Sequence, residues 1–261
     1  QYGCQELDGY LDVTHALSLN DTLWVKRVDS PLKWREVSLY RNPFNEVISE
    51  AAFDGSLSSS TFSSTSPEFS TDGQYAKCWI RENNAIWLYK TGGVFGMEPL
   101  SEYLASQLAA HICPDAVIYD LGFYHGALIS KCPLFTSETF GLAKAAVLTK
   151  DRTISGLLRY FEGIGNGDAF RRMCILDALI LNIDRHSGNF GVLYQNDTMQ
   201  VQKMAPVFDN NRSLLFDLDD SQLKNTEWCI RHCSPRLGVD FIATARGLMT
   251  DAIRSDLKNL R

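Results

Sequence analysis

The chain has 261 residues, 45% of them hydrophobic and 21% charged, with a formal net charge of −6. That length can bury a sizeable core and build two lobes or two small domains. The acidic balance and the scatter of Lys and Arg argue against direct nucleic-acid binding, and no apolar run reaches the length of a bilayer span.

Gln1-Tyr2-Gly3-Cys4 shows no charged region leading into an apolar stretch, so no signal peptide is expected. Seven cysteines at irregular spacing fit a reducing cytoplasm better than a disulfide framework. Only Cys229-Ile230-Arg231-His232-Cys233 approaches metal-ligand spacing, and the simpler reading is the end of a helix.

Residues 1 to about 55 mix apolar runs with charges. Trp24-Val25-Lys26 and Val37-Ser38-Leu39-Tyr40 suggest short strands or turns, and the segment is expected to pack on a small lobe. Residues 55–66 are rich in Ser and Thr and too poor in apolar surface to order themselves, so a mobile loop is expected, either a linker or a phosphorylatable or nucleotide-covering loop. In Ser70-Thr71-Asp72-Gly73, small hydroxyl residues and a Gly let backbone N–H groups approach phosphate oxygens. No Gly-Lys-Ser/Thr follows, so this is not a Walker motif.

Lys77–Arg81 and Ala85–Lys90 read as a β-hairpin turned at Asn83-Asn84. Lys90 ends the second strand, where a cation can reach phosphates. Glu98–His111 reads as an amphipathic helix with Leu100, Leu104 and Leu108 on one stripe and Pro99 in its first turn. A carboxylate on this helix, Glu98 or Glu102, can pair with Lys90. Ala116–Tyr119 and Phe123–Ser130 are predicted strands around Asp120-Leu121-Gly122. Lys131–Phe135 follows, a candidate link between lobes.

Beyond Ser137 the pattern turns helical. Thr139–Leu148 and Thr153–Phe161 are predicted helices, and Asp168 is predicted to cap a helix running through Ile183. Asp177, inside that buried helix, needs a partner and is read as the anchor of the following loop. Leu237–Leu260 is predicted as one further helix.

Residues 182–209 carry the densest chemistry. Asn182-Ile183-Asp184-Arg185-His186-Ser187-Gly188-Asn189 is a polar loop. Two apolar runs, Phe190–Tyr194 and Met199–Phe208, flank a turn and read as a hairpin. Pairing these runs brings Asn189 and Asp209 together at the hairpin base, with Asp184 close by. Hard oxygen ligands of this kind suit Mg²⁺. Asp184, outside the ligand pair, can accept the proton of an attacking hydroxyl. A zinc hydrolase using His186 with Asp184 and Asp209 is a weaker alternative, because the remaining four histidines are scattered.

Asp184-Arg185-His186-Ser187-Gly188-Asn189-Phe190-Gly191, followed by Ala205-Pro206-Val207-Phe208-Asp209-Asn210, resembles the catalytic core of HipA-like serine/threonine kinases. The DRHxxN element is also similar to that of phosphatidylinositol kinases. Residues 66–73, 87–90 and 98–105 resemble amino-lobe segments of HipA-like proteins more loosely. The resemblance implies an α+β, bilobal protein kinase-like fold. Residues 1–136 would form a small β-rich amino lobe with one helix, and residues 137–261 a larger helical catalytic lobe. It implies ATP and Mg²⁺ as cofactors and Asp184 and His186 as catalytic residues. Lys90, Glu102, Ser70, Thr71, Asp72, Gly73 and Phe135 would bind nucleotide, and Asn189 and Asp209 the metal. It further implies a protein acceptor with Ser or Thr, and an antitoxin or regulatory partner of the toxin–antitoxin kind. Asn211 departs from the Gly common at that position; Asn also tolerates the left-handed conformation. A lipid or small-molecule phosphotransferase and a nucleotide-binding pseudokinase are the competing readings.

Overall fold

A computed structural model describes residues 7–44, 76–93 and 96–259. The Ser/Thr-rich stretch and Ser70–Gly73 lie outside the described residues. Helix α1 (Leu7–Thr14) and the single turn α2 (Trp34–Val37) open the described chain. No strand forms at residues 24–26 or 37–40. Instead Leu17, Leu19, Val37 and Leu39 pack as a cluster on Ile86, with Trp34, Trp79 and Leu134 around them. The segment therefore covers the first sheet without joining it, and burial of these side chains is its main source of stability.

That sheet consists of β1 (Lys77–Glu82), β2 (Ala85–Thr91), β3 (Asp120–Tyr124) and β4 (Ala127–Pro133), in the order β1-β2-β4-β3, with α3 (Glu98–Ile112) inserted after β2. Asn83 and Asn84 both have positive φ (48° and 67°), the geometry of a tight primed turn. The same geometry recurs at His125 and Gly126 (47° and 78°). The second hairpin thus turns there and not at Asp120-Leu121-Gly122, which lie inside β3, with Gly122 opposite Ile129. A two-residue primed turn fixes the register, so it overrides the apparent break at Gly122.

The predicted stripe on α3 is corrected. Leu104 and Leu108 are 43% and 46% exposed, while Ser101, Glu102, Ala105, Ser106 and Ala109 are buried. The buried face carries small and polar side chains because it meets Lys90 and the backbone around Ser213, as described below. Large side chains there would hold those groups away.

Residues 139–148, read from the sequence as helix, form strand β5 (Phe140–Lys144) and the single turn α4 (Ala145–Leu148). β5 pairs with β6 (Gly191–Gln195), which pairs with β7 (Val201–Met204). Partners such as Leu142 and Leu193 are far apart in the chain, so local periodicity does not reveal the pairing. Gly191 is required at this join, since a Cβ there would stand 2.0 Å from the Ala143 carbonyl oxygen.

Helix α5 (Ile154–Gly163) is capped by Thr153, whose hydroxyl accepts from Gly156 N–H at 3.1 Å. Helix α6 spans Gly167–Ile180, shorter than predicted, with Asn166 in the capping position. Asp168 lies in its first turn and accepts from Arg172 Nε at 2.7 Å. The helix stops because Leu181 turns left-handed (φ 52°), which releases Asn182 into the polar loop. Short helices α7 (Asp220–Leu223) and α8 (Thr226–His232) follow. The predicted helix over 237–260 divides into α9 (Phe241–Leu248) and α10 (Asp251–Lys258). Thr250 breaks it by capping the second, accepting from Ile253 N–H at 3.3 Å. The main core joins α3, α5, α6 and β6, with Phe161, Phe170, Met173, Leu176 and Phe190 at its centre. Among the described residues no helix is long and apolar enough to cross a membrane.

Candidate active site

The hairpin β6–β7 brings its two ends together as the sequence predicts. Ala205 N–H donates to the Gly191 carbonyl at 2.9 Å, and Val207 forms a parallel bridge with Ala116. The loop before β6 is held from the other side. Ser187 and Phe190 carbonyls accept from the Ala146 and Ala145 N–H groups, each at 2.8 Å. Phe190 is inserted among Phe161 and Phe170 in the core, which fixes Asn189 immediately before it.

Arg185 is the centre of this arrangement. Its side chain is 1% exposed and spends its donors on four groups. Nε meets Asp177 Oδ2 at 2.9 Å, and Nη2 reaches Asp177 Oδ1 at 3.0 Å and Asn210 Oδ1 at 2.5 Å. Nη1 donates to the carbonyls of Asn189 (3.1 Å) and Phe208 (2.8 Å). One guanidinium nitrogen therefore binds the backbone beside both expected metal ligands, Asn189 and Asp209. Asp177 has the anchoring place foreseen for it, and Asn182 completes the network by donating to Asp177 and accepting from Asp184 N–H, both at 3.0 Å.

Within the loop, Asn189 Oδ1 accepts from His186 N–H at 2.9 Å and its Nδ2 donates to the Asp184 carbonyl at 3.0 Å. His186 Nδ1 accepts from Gly188 N–H at 3.0 Å. Burial holds His186 below the usual histidine pKa, against the pull of Asp184. Because Nδ1 accepts this bond, the neutral form of the ring carries its proton on Nε2. In this structure its ring nitrogen stabilises the loop.

Lys90 Nζ donates to Glu102 Oε2 and to Asp209 Oδ1, each at 2.5 Å. Glu102 Oε1 accepts from Asn210 N–H at 2.6 Å, so α3 grips both the lysine and the residue after Asp209. Ser101 strengthens that junction by donating to the Ser213 carbonyl at 2.8 Å. Burial disfavours charge on Lys90, yet the two carboxylates outweigh it and raise its pKa. Burial acts on Asp209 in the opposite sense from Lys90, whose pull leaves its carboxyl below the usual range. Asp209 has φ 60°, whereas Asn211 does not take the left-handed conformation. A left-handed Asp is a sparsely populated state, retained here by the bonds on either side of it.

Phe135 lies just after β4 and stacks obliquely on Phe208, with ring centroids 5.3 Å apart. It joins the Val117–Tyr119–Cys132 cluster to the Leu142–Leu193–Ala205 cluster. Phe135 is thus brought beside the residue preceding Asp209, while Ser70, Thr71, Asp72 and Gly73 lie outside the described residues.

Asp184 accepts from Arg236 Nη1 at 2.8 Å, and Arg212 Nη1 lies 3.9 Å from the same oxygen. Sequence reasoning left Arg185 without a role and missed Arg212, Arg236 and Asn210. The unpaired acid read at Asp177, eight residues earlier, was a signal for the first. Nothing local marked Arg236, 52 residues from its partner. Cys229 is buried, and among the described residues no three His, Cys, Asp or Glu side chains form a metal-holding group.

The fold is similar to that of a Helicobacter pylori proinflammatory kinase, CtkA. The likeness has a TM-score of 0.55 and 19% identity, and covers 70% of this chain and 82% of that one. The architecture is a mixed α+β, kinase-like fold. No protein-family model and no curated protein matches this sequence.

Proposed function

We propose that the chain is a HipA-like protein kinase that transfers the γ-phosphoryl group of ATP to Ser or Thr hydroxyls. The observation that carries this reading is Lys90 joined at 2.5 Å to both Glu102 and Asp209, beside a loop that presents Asp184 and Asn189. In this reading residues 1–136 form the amino lobe and 137–261 the catalytic lobe. Lys90 binds the ATP phosphates and Glu102 holds it there, as kinase chemistry requires. Phe135 and its backbone neighbours face the base, and Ser70–Gly73 meet the phosphates.

Two protein oxygen donors, one carboxylate and one carboxamide, fit a divalent ion that completes its shell with water and phosphate better than a closed protein cage. Asn189 and Asp209 would hold Mg²⁺, which neutralises charge on the phosphates when bound. Asp184 orients the acceptor hydroxyl and takes its proton. The new bond joins that oxygen to the γ-phosphorus, and the broken bond leaves its electron pair on ADP. His186 and Arg185 keep the loop in place. In this reading the cysteine usage fits a cytoplasmic enzyme, the sequence resemblance implies a regulatory or toxin–antitoxin setting with an antitoxin or regulatory partner, and the Ser-rich stretch is a candidate for autophosphorylation.

The test is incubation with γ-labelled ATP and Mg²⁺, alongside Asp184→Ala and Asp209→Ala, with label mapped by mass spectrometry. Label on Ser or Thr is expected in the wild-type reaction, with a loss of at least about a hundredfold in each variant. ATP binding without label on the chain or on added protein would replace this reading with a pseudokinase. Label confined to lipid or small molecules would replace it with a different phosphotransferase.

A further inference from the structure

Asp184, the residue proposed to receive the acceptor proton, faces two arginines from separate parts of the chain. Arg236 Nη1 is 2.8 Å and Arg212 Nη1 3.9 Å from Asp184 Oδ1. One carboxylate against two guanidiniums leaves surplus positive charge at this spot, in a chain whose net charge is −6.

The placement is built into the fold. Pro235 and Leu237, on either side of Arg236, line a small cavity with Asp177, Asn182 and Arg185. Leu237 also packs on the main core. Gly238 follows with φ 93°, where a Cβ would stand 2.7 Å from Thr244 Oγ1. The backbone carrying Arg236 is therefore held against the anchor of the catalytic loop.

A guanidinium has five N–H donors. Among the described residues Arg236 spends one on Asp184, and its side chain is 59% exposed. Arg212 Nε is buried without a hydrogen-bond partner, and the guanidinium lies 5.6 Å over the Phe216 ring. Arg236 thus keeps solvent-reachable donors to spare beside Asp184, and Arg212 adds positive charge next to them.

We infer that Arg212 and Arg236 form an anion site for the acceptor, which is a Ser or Thr flanked by Asp or Glu in a protein chain. This deepens the kinase reading and rests on it. The flanking carboxylate takes Arg236 in a forked, charge-assisted contact. Arg236 then leaves Asp184 Oδ1, and that oxygen becomes free to accept the hydroxyl hydrogen. The right acceptor thereby releases the base, whereas a neutral one leaves it paired. The transfer itself is unchanged: the hydroxyl oxygen bonds the γ-phosphorus, ADP departs with the electron pair, and the proton goes to Asp184. An anionic membrane is the poorer match, because the negative chain is repelled by its surface.

The test uses the full chain and two peptides that differ only in Glu or Gln beside the acceptor Ser, each also made with Ala in place of Ser. Binding of the Ala peptides is followed by fluorescence anisotropy, and transfer to the Ser peptides by kcat/KM. The Glu peptide should bind, and be phosphorylated, about tenfold better than the Gln peptide at low salt. Arg236→Gln should bring both ratios to about threefold or less, with Arg236→Lys between. Equal binding of the two peptides, or ratios unchanged in Arg236→Gln, overturns the anion site while any transfer seen leaves the kinase reading standing. Label passing to anionic lipid vesicles in preference to either peptide also overturns it. A Glu preference in binding that Arg236→Gln abolishes, with no label on any acceptor, supports the anion site and overturns the kinase reading.

Discussion

Two arginine–aspartate pairs involve the loop that starts at Asn182, and they differ in burial and in the number of partners. Arg185 and Asp177 are 1% and 8% exposed and share a network with Asn182, Asn210 and two carbonyls. Arg236 and Asp184 are 59% and 24% exposed and share one hydrogen bond. A charge with no water around it must keep its partner, because losing that partner leaves an unsolvated ion. A charge in water can exchange partners at little cost. The buried pair is suited to fixing the loop and the exposed pair to answering a ligand.

The largest expected effect is therefore on the buried side. Arg185→Met leaves Asp177 without its cation and two carbonyls without their donor. Destabilisation of about 3–5 kcal/mol is expected, read as a fall in the urea midpoint with an unchanged slope. A loss under about 1 kcal/mol would mean that the network does not bear on stability.

Lys90→Met comes next, with loss of transfer activity and about 3 kcal/mol of stability. Its pH dependence tells the cause. Burial and the nearby Asp209 charge already push Glu102 up against the pull of Lys90. Without the lysine the folded carboxyl holds its proton to higher pH than the unfolded one. Above the ordinary Glu pKa of about 4.3 the unfolded state binds fewer protons, so stability falls as pH rises toward the folded value. Melting of the variant relative to wild type should be worse at pH 8 than at pH 5. Equal penalties at both would remove Glu102 from the explanation.

The same contrast explains what could be read in the sequence. The Asn83-Asn84 hairpin and the β6–β7 hairpin were legible because turn chemistry and strand patterning are local. That legibility reached the hairpin base, where Arg185 Nη1 binds the carbonyls of Asn189 and Phe208. Helical spacing leaves Glu98 and Glu102 as equal candidates and only the family resemblance favours Glu102, while the apolar stripe of that helix points the wrong way. The face toward Lys90 and Ser213 needs small or polar side chains, and Leu104 and Leu108 are left outside. β5 was hidden because Gly141 and Leu142 find their partners about fifty residues later, at Tyr194 and Leu193. Arg236 was invisible for a similar reason: its meaning depends on a long-range fold that no short window contains.

His186 gives a smaller effect within the loop. Burial lowers its folded pKa below the ordinary value of about 6.5. As pH falls through that value the unfolded chain takes up the proton first, so stability is lost between the unfolded and folded pKa values. Protonation also ends the acceptor role of Nδ1 toward Gly188 N–H. Unfolding midpoints at pH 7.5 and 5.5 should separate more in wild type than in His186→Gln. An identical separation would place the pH sensitivity elsewhere.

Arg236→Gln should change stability least, by about 0.5 kcal/mol or less, because the pair it removes is exposed and screened by solvent. The prediction matters because it bears on what the contact is for. Pro235 and Leu237 hold this backbone whether or not the guanidinium is present, so the loop geometry does not depend on the ion pair. A thermal melt within about 2 °C of wild type would leave a residue positioned by the fold yet contributing little to it. That is the property required of a side chain that must leave Asp184 when an anionic acceptor arrives. A loss as large as that of Arg185→Met would instead make Arg236 a second structural anchor, and the distinction between the two pairs would fail.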